Sequence, residues 1–163
     1  MKLRFLSIFA AAALLAACES APEEKAATSS TATPPAAAKP AGIVPGSEQD
    51  FIANVGDRVF YDFDKYSLRA DAKATLDKQI AWLKKYPNYN VTVEGHADER
   101  GTREYNLALG ERRANSVKEY LVAGGLPATR VKTISYGKER PVALGSNEAA
   151  WSQNRRGVTV LSK

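Results

Sequence analysis

The sequence predicts an α/β domain in which helices cover a four-stranded sheet. Three observations support this fold class. Four strand patterns alternate with helix patterns from residue 58 onward, the long helix patterns have one apolar face, and about 115 residues suffice for one modest core. Right-handed crossovers are expected where neighbouring strands run parallel. We place this domain at residues 47–163 and find no internal repeat in it.

The first strand and helix lie between residues 58 and 87. Arg58–Phe63 has the composition of a strand, and a polar loop then leads into a helix from about Arg69 to Tyr86. Leucine and isoleucine recur on this helix at helical spacing, at Leu76, Ile80 and Leu83. The sequence therefore predicts a helix with one buried stripe, ended by Pro87.

The second strand, its loop and the second helix occupy residues 91–121. Valine alternates with polar residues from Val91, which is typical of a strand with one buried face, and Gly95 ends the pattern. A short charged loop, 96–101, follows. Thr102 is placed to cap the next helix, because its hydroxyl can accept a hydrogen bond from an unpaired N–H of the first turn.

The remaining elements complete the alternation of strands and helices. Gly124 and Gly125 end the second helix, and Val131–Tyr136 is predicted to be a third strand. A short helix around Glu148–Trp151 then leads into a last strand, Gly157–Leu161.

Arg113 is an unusual residue of the second helix. It projects into the apolar stripe, between Leu109 and Val117 one turn away on either side. A guanidinium stays charged in proteins and is costly to bury unpaired, so we expect Arg113 to meet a carboxylate. Asp98, in the loop before this helix, is the natural candidate. Two interpretations stay open on spacing alone: a structural ion pair that pins the loop, or a ligand site.

The segment that contains both residues resembles a known family. Residues 95–121, GHADERGTREYNLALGERRANSVKEYL, resemble the peptidoglycan-binding signature of OmpA-like domains. The HADERGT and GERRA portions are most similar to the lipoprotein branch of that family. The resemblance continues in Ser135–Pro141 and Asn154–Arg156, and it covers nearly all of the chain from Val59 onward. Gly110 stands where many OmpA-like domains carry serine, which favours the lipoprotein branch.

The resemblance implies a fold and a ligand. OmpA-like domains are two-layer sandwiches (α+β) with a mixed four-stranded sheet. By resemblance, Asp98 and Arg113 bind the zwitterionic end of meso-diaminopimelate in the peptidoglycan stem peptide, because an acid beside a guanidinium matches an ammonium beside a carboxylate. The residues implied to line this pocket are Phe63, Asp64, Thr102 and Leu109. Each of these four also has a structural interpretation, as a core, turn or capping residue.

The N-terminal 46 residues indicate export and a tether. Residues 1–17 combine a basic leader, a short apolar core and small residues, which is typical of a signal peptide. Cys18 follows Leu-Ala-Ala, a pattern that resembles a lipobox, so we expect cleavage before Cys18 and its acylation. The alternative is a simple secretory peptide with an incidental cysteine. Residues 18–46 are rich in Ala, Pro and Thr and predict a disordered tether.

Localisation and partners are predicted from the anchor and the family. Glu19, rather than aspartate, is the second mature residue, which by family analogy implies lipid anchoring in the outer membrane, facing the periplasm. The family resemblance implies a noncovalent link between outer membrane and peptidoglycan within the Tol-Pal system, which serves envelope integrity and constriction at cell division. It also implies partnership with a TolB-like periplasmic protein and other Tol components. The alternative is a lipoprotein scaffold whose main ligand is a periplasmic protein, with Asp98 and Arg113 as an internal strut.

Other functional classes find little support. The formal net charge of +5 falls to +3 once Lys2 and Arg4 leave with the signal, and no basic stripe alternates with aromatic residues, so we expect no nucleic-acid partner. His96 is the only histidine, and we expect a polar loop residue rather than a metal ligand or part of a nucleophile relay. Asp64 and Asp98 lack the apolar surroundings of a hydrolytic acid pair. We therefore expect neither catalysis nor a cofactor.

Overall fold

The computed structural model of the chain describes residues 42–163. The signal peptide predicted at residues 1–17, the predicted lipidation site Cys18 and most of the tether predicted at 18–46 lie outside the described residues. Within the described range, no helix combines the length and the apolar character needed to cross a membrane.

Residues 42–163 form four α-helices and four strands, whose order matches the predicted alternation from the first strand onward; the short helix and the π-helical turn before that strand were not predicted. The elements are α1 (Glu48–Asp50), a π-helical turn (Phe51–Val55), β1 (Arg58–Phe60), α2 (Ala70–Lys85), β2 (Asn90–His96), α3 (Arg103–Ala123), a 3-10 turn (Ala128–Arg130), β3 (Val131–Gly137), α4 (Glu148–Asn154) and β4 (Arg156–Ser162).

The strands form one mixed sheet in the order β1-β4-β2-β3. β2 and β3 run parallel, as the crossover through α3 requires, whereas β4 is antiparallel to both β1 and β2. α3 packs against β2 and β3, and α2 packs against β1. Val91 and Val93 of β2 are buried in the core, while Thr92 and Glu94 between them are only half-buried. The predicted α+β two-layer sandwich with a mixed sheet is confirmed.

Two strand ends differ from the sequence prediction. β1 ends at Phe60 rather than Phe63: Phe60, opposite Arg156, is its last residue in register with β4, and beyond it the backbone N of Tyr61 donates to Arg155 O just before β4 begins. β2 continues through His96, past its predicted end at Gly95, with a register shift against β3 between these two residues. His96 is therefore a strand residue, and the prediction that it lies in a loop is wrong.

α3 approaches β2 closely where two glycines meet. A Cβ atom added at Gly95 would lie 1.8 Å from the carbonyl oxygen of Gly110, a distance that no side chain tolerates. The absence of side chains at both positions allows the helix to lie directly on the strand. This close approach places Arg113, one turn beyond Gly110 on α3, next to the end of β2. The chain continues from there into Ala97 and Asp98.

Candidate ligand-binding site

A cavity of about 200 Å³ lies where the segment between β1 and α2, the loop between β2 and α3, and the first turns of α3 meet. It is lined by nine residues: Phe63, Asp64, Asp98, Arg100, Gly101, Tyr105, Asn106, Leu109 and Arg113. The structure thus brings five of the six predicted ligand-binding residues to one cavity. Thr102 is not among its lining residues; its Oγ1 caps α3 by accepting a hydrogen bond from the backbone N–H of Tyr105 at 3.1 Å.

Arg113 is fully buried, and its guanidinium is held by backbone carbonyl groups. Nε donates to Lys65 O at 2.8 Å, Nη1 to His96 O at 2.8 Å and Nη2 to Asp62 O at 3.2 Å. No carboxylate of residues 42–163 lies within 4.0 Å of this cation, so the expected ion pair with Asp98 does not form. The reason is geometric: the segment between β1 and α2 and the end of β2 present carbonyl oxygens at the guanidinium.

The bonds to carbonyl oxygens leave Arg113 with unused hydrogen-bond donors. A guanidinium has five N–H donors, and three of them are used in the bonds to carbonyl oxygens, so one remains on each terminal nitrogen. Burial lowers the pKa of Arg113 to about 10, so the group is still a cation at neutral pH. A buried positive charge without an anion is unfavourable, and this one lines a cavity. The arrangement suits a carboxylate guest.

Asp98 is also buried, but arginines surround it. Oδ1 accepts from the backbone N and Nε of Arg100 at 3.1 and 3.2 Å. Oδ2 accepts from Nη2 of Arg100 at 2.6 Å and from Nη1 of Arg155 at 3.4 Å. Burial raises the pKa of Asp98, but the hydrogen bonds and charge of Arg100 outweigh it and hold that pKa below its ordinary value. Asp98 is therefore an anion at neutral pH.

Aromatic residues and a second acid form the rim of the cavity. The guanidinium of Arg100 lies between two rings, 4.0 Å from the centroid of Phe63 and 4.0 Å from that of Trp151. Asp64 adopts a positive φ of 56° and accepts a hydrogen bond from the hydroxyl of Tyr105. This bond ties the segment after β1 to the first turn of α3 across the cavity.

Sequence reasoning missed four lining residues: Arg100, Gly101, Tyr105 and Asn106. Asn106 lies on the same line of the helix as Arg113, which was a usable signal, and its amide donates to Arg100 O at 2.8 Å. Arg100 follows Asp98 by two residues, a spacing at which a side chain can fold back onto the acid. Spacing along the chain does not signal the second partner of Asp98, Arg155, which lies 57 residues away, just before β4.

His96 does not belong to this cavity. His96 is 1% exposed, and its ring stacks on Tyr136 with centroids 5.5 Å apart. Neither ring nitrogen has a hydrogen-bond partner among the described residues, although Nε2 lies 3.5 Å from Glu94 Oε2. Burial, with the nearby charges of Arg156 and Arg140, lowers the pKa of His96 to about 4, so the ring is neutral at pH 7. Within residues 42–163, no group of three or more His, Cys, Asp or Glu side chains could hold a metal ion.

Comparisons with known proteins show which proteins this chain is similar to. The OmpA family model matches residues 60–155. The peptidoglycan-associated lipoprotein of Rhizobium meliloti (strain 1021) is 67% identical over 117 residues, which are 72% of this chain and 66% of that protein, slightly less than two thirds of its length. The protein of the same name from Brucella suis biovar 1 (strain 1330) is 61% identical over 118 residues, which are 72% of this chain and 70% of that protein.

Solved structures agree with the sequence comparisons. The crystal structure of the peptidoglycan-associated lipoprotein from Burkholderia pseudomallei has a TM-score of 0.66 and 40% identity, covering 70% of this chain and 98% of that one. The C-terminal domain of Helicobacter pylori MotB has a TM-score of 0.61 at 19% identity, covering 66% of this chain and 84% of that one, and shares the fold alone.

Proposed function

We propose, from the premise that this chain belongs to the OmpA family and matches its peptidoglycan-associated lipoproteins, that it binds peptidoglycan noncovalently and ties the outer membrane to the cell wall. The contact is made by the free amino-acid end of diaminopimelate in the stem peptide. That group presents an ammonium and a carboxylate on one carbon atom.

The observation that carries this proposal is the pairing pattern of Arg113. It is a fully buried cation that lines a cavity, has two unused N–H donors and has no carboxylate partner among residues 42–163. A ligand carboxylate that enters the cavity would supply the missing anion through charge-assisted hydrogen bonds. Asp98, which lines the same cavity, is the acceptor for the ammonium group.

The size and walls of the cavity suit such a guest. A water molecule occupies about 30 Å³ of liquid, so 200 Å³ holds roughly six or seven waters, a space comparable with a small polar head group. Leu109 and Phe63 supply apolar wall for the methylene chain of the ligand, and the carboxylate of Asp98 and the guanidinium of Arg113 would fix its orientation.

The site is built for binding and not for catalysis. Members of this family are structural, peptidoglycan-binding proteins. A glycan hydrolase needs one carboxylic acid that stays protonated near neutral pH. The arginines around Asp98 hold its pKa low instead, so this residue is a poor proton donor.

Attachment to the wall gains strength from many copies. Charge-assisted hydrogen bonds contribute on the order of 1.5 to 3 kcal/mol each, so one site binds a single stem peptide modestly. The tether predicted at 18–46 has an r.m.s. span of roughly 30 Å as a coil. Many lipid-anchored copies that face one polymer would then hold it firmly.

The remaining parts of the proposal rest on similarity to the peptidoglycan-associated lipoproteins. They are lipidation at Cys18, residence in the outer membrane with the domain in the periplasm, and partnership with a TolB-like protein and other components of the Tol-Pal system. The alternative is a scaffold for a periplasmic protein, in which Asp98 and Arg113 form an internal strut. The pairing pattern disfavours that alternative, because the two groups bond to other partners.

Cosedimentation with purified sacculi tests the proposal. We expect the wild-type chain to pellet with sacculi, and Asp98→Ala and Arg113→Ala to remain in the supernatant. Circular dichroism must show that each variant is folded. Undiminished cosedimentation of both folded variants would overturn the assignment of this cavity.

A further inference from the structure

The carboxylate of Asp98 is saturated with donors. A carboxylate has about four acceptor positions. In this structure they are taken by the backbone N, Nε and Nη2 of Arg100 and by Nη1 of Arg155. A ligand ammonium can therefore hydrogen-bond to Asp98 only if one of these donors leaves.

Two of the four donors, Nη1 of Arg155 and the backbone N–H of Arg100, are fixed by other contacts. The guanidinium of Arg155 is 7% exposed and also donates to Tyr61 O at 3.0 Å and to Glu148. The backbone N–H of Arg100 is held by its loop, whose carbonyl oxygens accept from Asn106 and from the ammonium group of Lys138. Neither of these donors can move away without breaking several bonds.

The side chain of Arg100 is less enclosed than that of Arg155. It is 30% exposed, and beyond Asp98 it is held only by the rings of Phe63 and Trp151 and by Glu148, whose Oε2 lies 3.9 Å from Nη2. Glu148 has a side chain 64% exposed, so the guanidinium can shift toward it and keep an ionic partner in solvent.

We propose that the Arg100 side chain is an internal competitor that occupies the ammonium position on Asp98 and is displaced when a ligand ammonium binds. This inference rests on the proposed function, since it assigns the ammonium of that ligand to Asp98. Arg100 thus opposes binding, although it lines the cavity. Its removal strengthens binding, whereas removal of a residue that contacts the ligand favourably weakens it.

The size of the effect follows from how often Arg100 occupies Asp98. The apparent dissociation constant is the intrinsic one divided by the fraction of molecules whose site is free. If Arg100 occupies Asp98 in about nine molecules of ten, replacing it strengthens binding about tenfold. The factor is the same for every ligand that must displace it.

The test is titration of the purified chain with a synthetic stem peptide that ends in meso-diaminopimelate. Arg100→Gln keeps part of the side-chain length but cannot form the bidentate ion pair. Arg103→Gln is the matched control, because it removes the same charge only three residues further along the chain. The side chain of Arg103 is 74% exposed, pairs with Glu139 and does not line this cavity. We expect Arg100→Gln to bind several-fold more tightly than both the wild type and Arg103→Gln.

Fluorescence of Trp151 supplies a second readout. Ligand binding moves the guanidinium away from this indole ring, so we expect an emission change in the wild type that Arg100→Gln lacks. If the wild type binds the peptide but Arg100→Gln binds equally or less tightly, the internal competitor is rejected and the proposed function stands. If the wild type does not bind the peptide, both are rejected.

Discussion

Asp98 and Arg113 line one cavity, yet they form no ion pair with each other. The acid is neutralised by Arg100 and Arg155, and the base is held by carbonyl oxygens that carry no net charge. The cavity therefore has an anion that is paired with arginines and a cation that has no anion among residues 42–163. This asymmetry excludes an internal salt bridge between the two groups and supports the proposal of a zwitterionic ligand.

The geometry of the Arg113 guanidinium should matter as much as its charge. Arg113→Lys keeps the charge but loses the planar fork that reaches three carbonyl groups, so we expect about 2 kcal/mol or more of destabilisation and loss of stem-peptide binding. Urea unfolding and peptide titration measure the two effects. Arg112→Lys, at the adjacent exposed position, is the control and should change neither. A stable Arg113→Lys variant that binds normally would contradict this role.

The contact between Gly95 and Gly110 should tolerate no side chain. Gly95→Ala places a methyl group 1.8 Å from a backbone oxygen, so α3 must shift, and we expect a loss of about 1 to 3 kcal/mol in the free energy of unfolding. Chemical denaturation measures it. Gly42→Ala is the control, because an added Cβ there has no neighbour within 4 Å. Equal stability of the two variants would show that the helix does not depend on this close approach.

The stability of the domain should fall as the pH drops from 6.5 to 4. The pKa of His96 is about 4 in the folded chain and 6.5 when unperturbed, so the unfolded chain binds more protons within this window. The loss is on the order of 3 kcal/mol. Chemical unfolding at several pH values should show this dependence of the free energy of unfolding on pH in the wild type and a weaker dependence in His96→Phe. Identical slopes would mean that His96 does not titrate as a buried neutral ring.

The boundary between tether and domain should be visible to proteases. Residues 18–46 are predicted to lack structure, whereas the described elements begin at Glu48, so we expect early cleavage before residue 47 and a resistant C-terminal fragment. Mass spectrometry of a limited digest locates the cuts. Uniform resistance along the whole chain would contradict the predicted division.

The sequence predicts the order of strands and helices from β1 onward because hydrophobic periodicity is a local signal. The burial of Arg113 is also predictable, since it depends only on the spacing from Leu109 and Val117. The partners of Arg113 are not predictable, because every residue carries a carbonyl group and those used lie 17 to 51 positions away in the chain. Arg100 escapes notice for a similar reason: a charged loop residue is typical of solvent, and the ring of Trp151 reaches it only through the fold.

The most direct measurement compares two stem peptides that differ at one group. One ends in meso-diaminopimelate, and the other carries the same residue with the carboxylate of its free amino-acid end converted to a carboxamide. Both keep the ammonium for Asp98, but only the first offers an anion to Arg113. We expect the amidated peptide to bind at least tenfold more weakly in calorimetric titration, since a charge-assisted hydrogen bond contributes about 1.5 to 3 kcal/mol. Equal affinity for the two peptides would show that Arg113 does not receive the carboxylate.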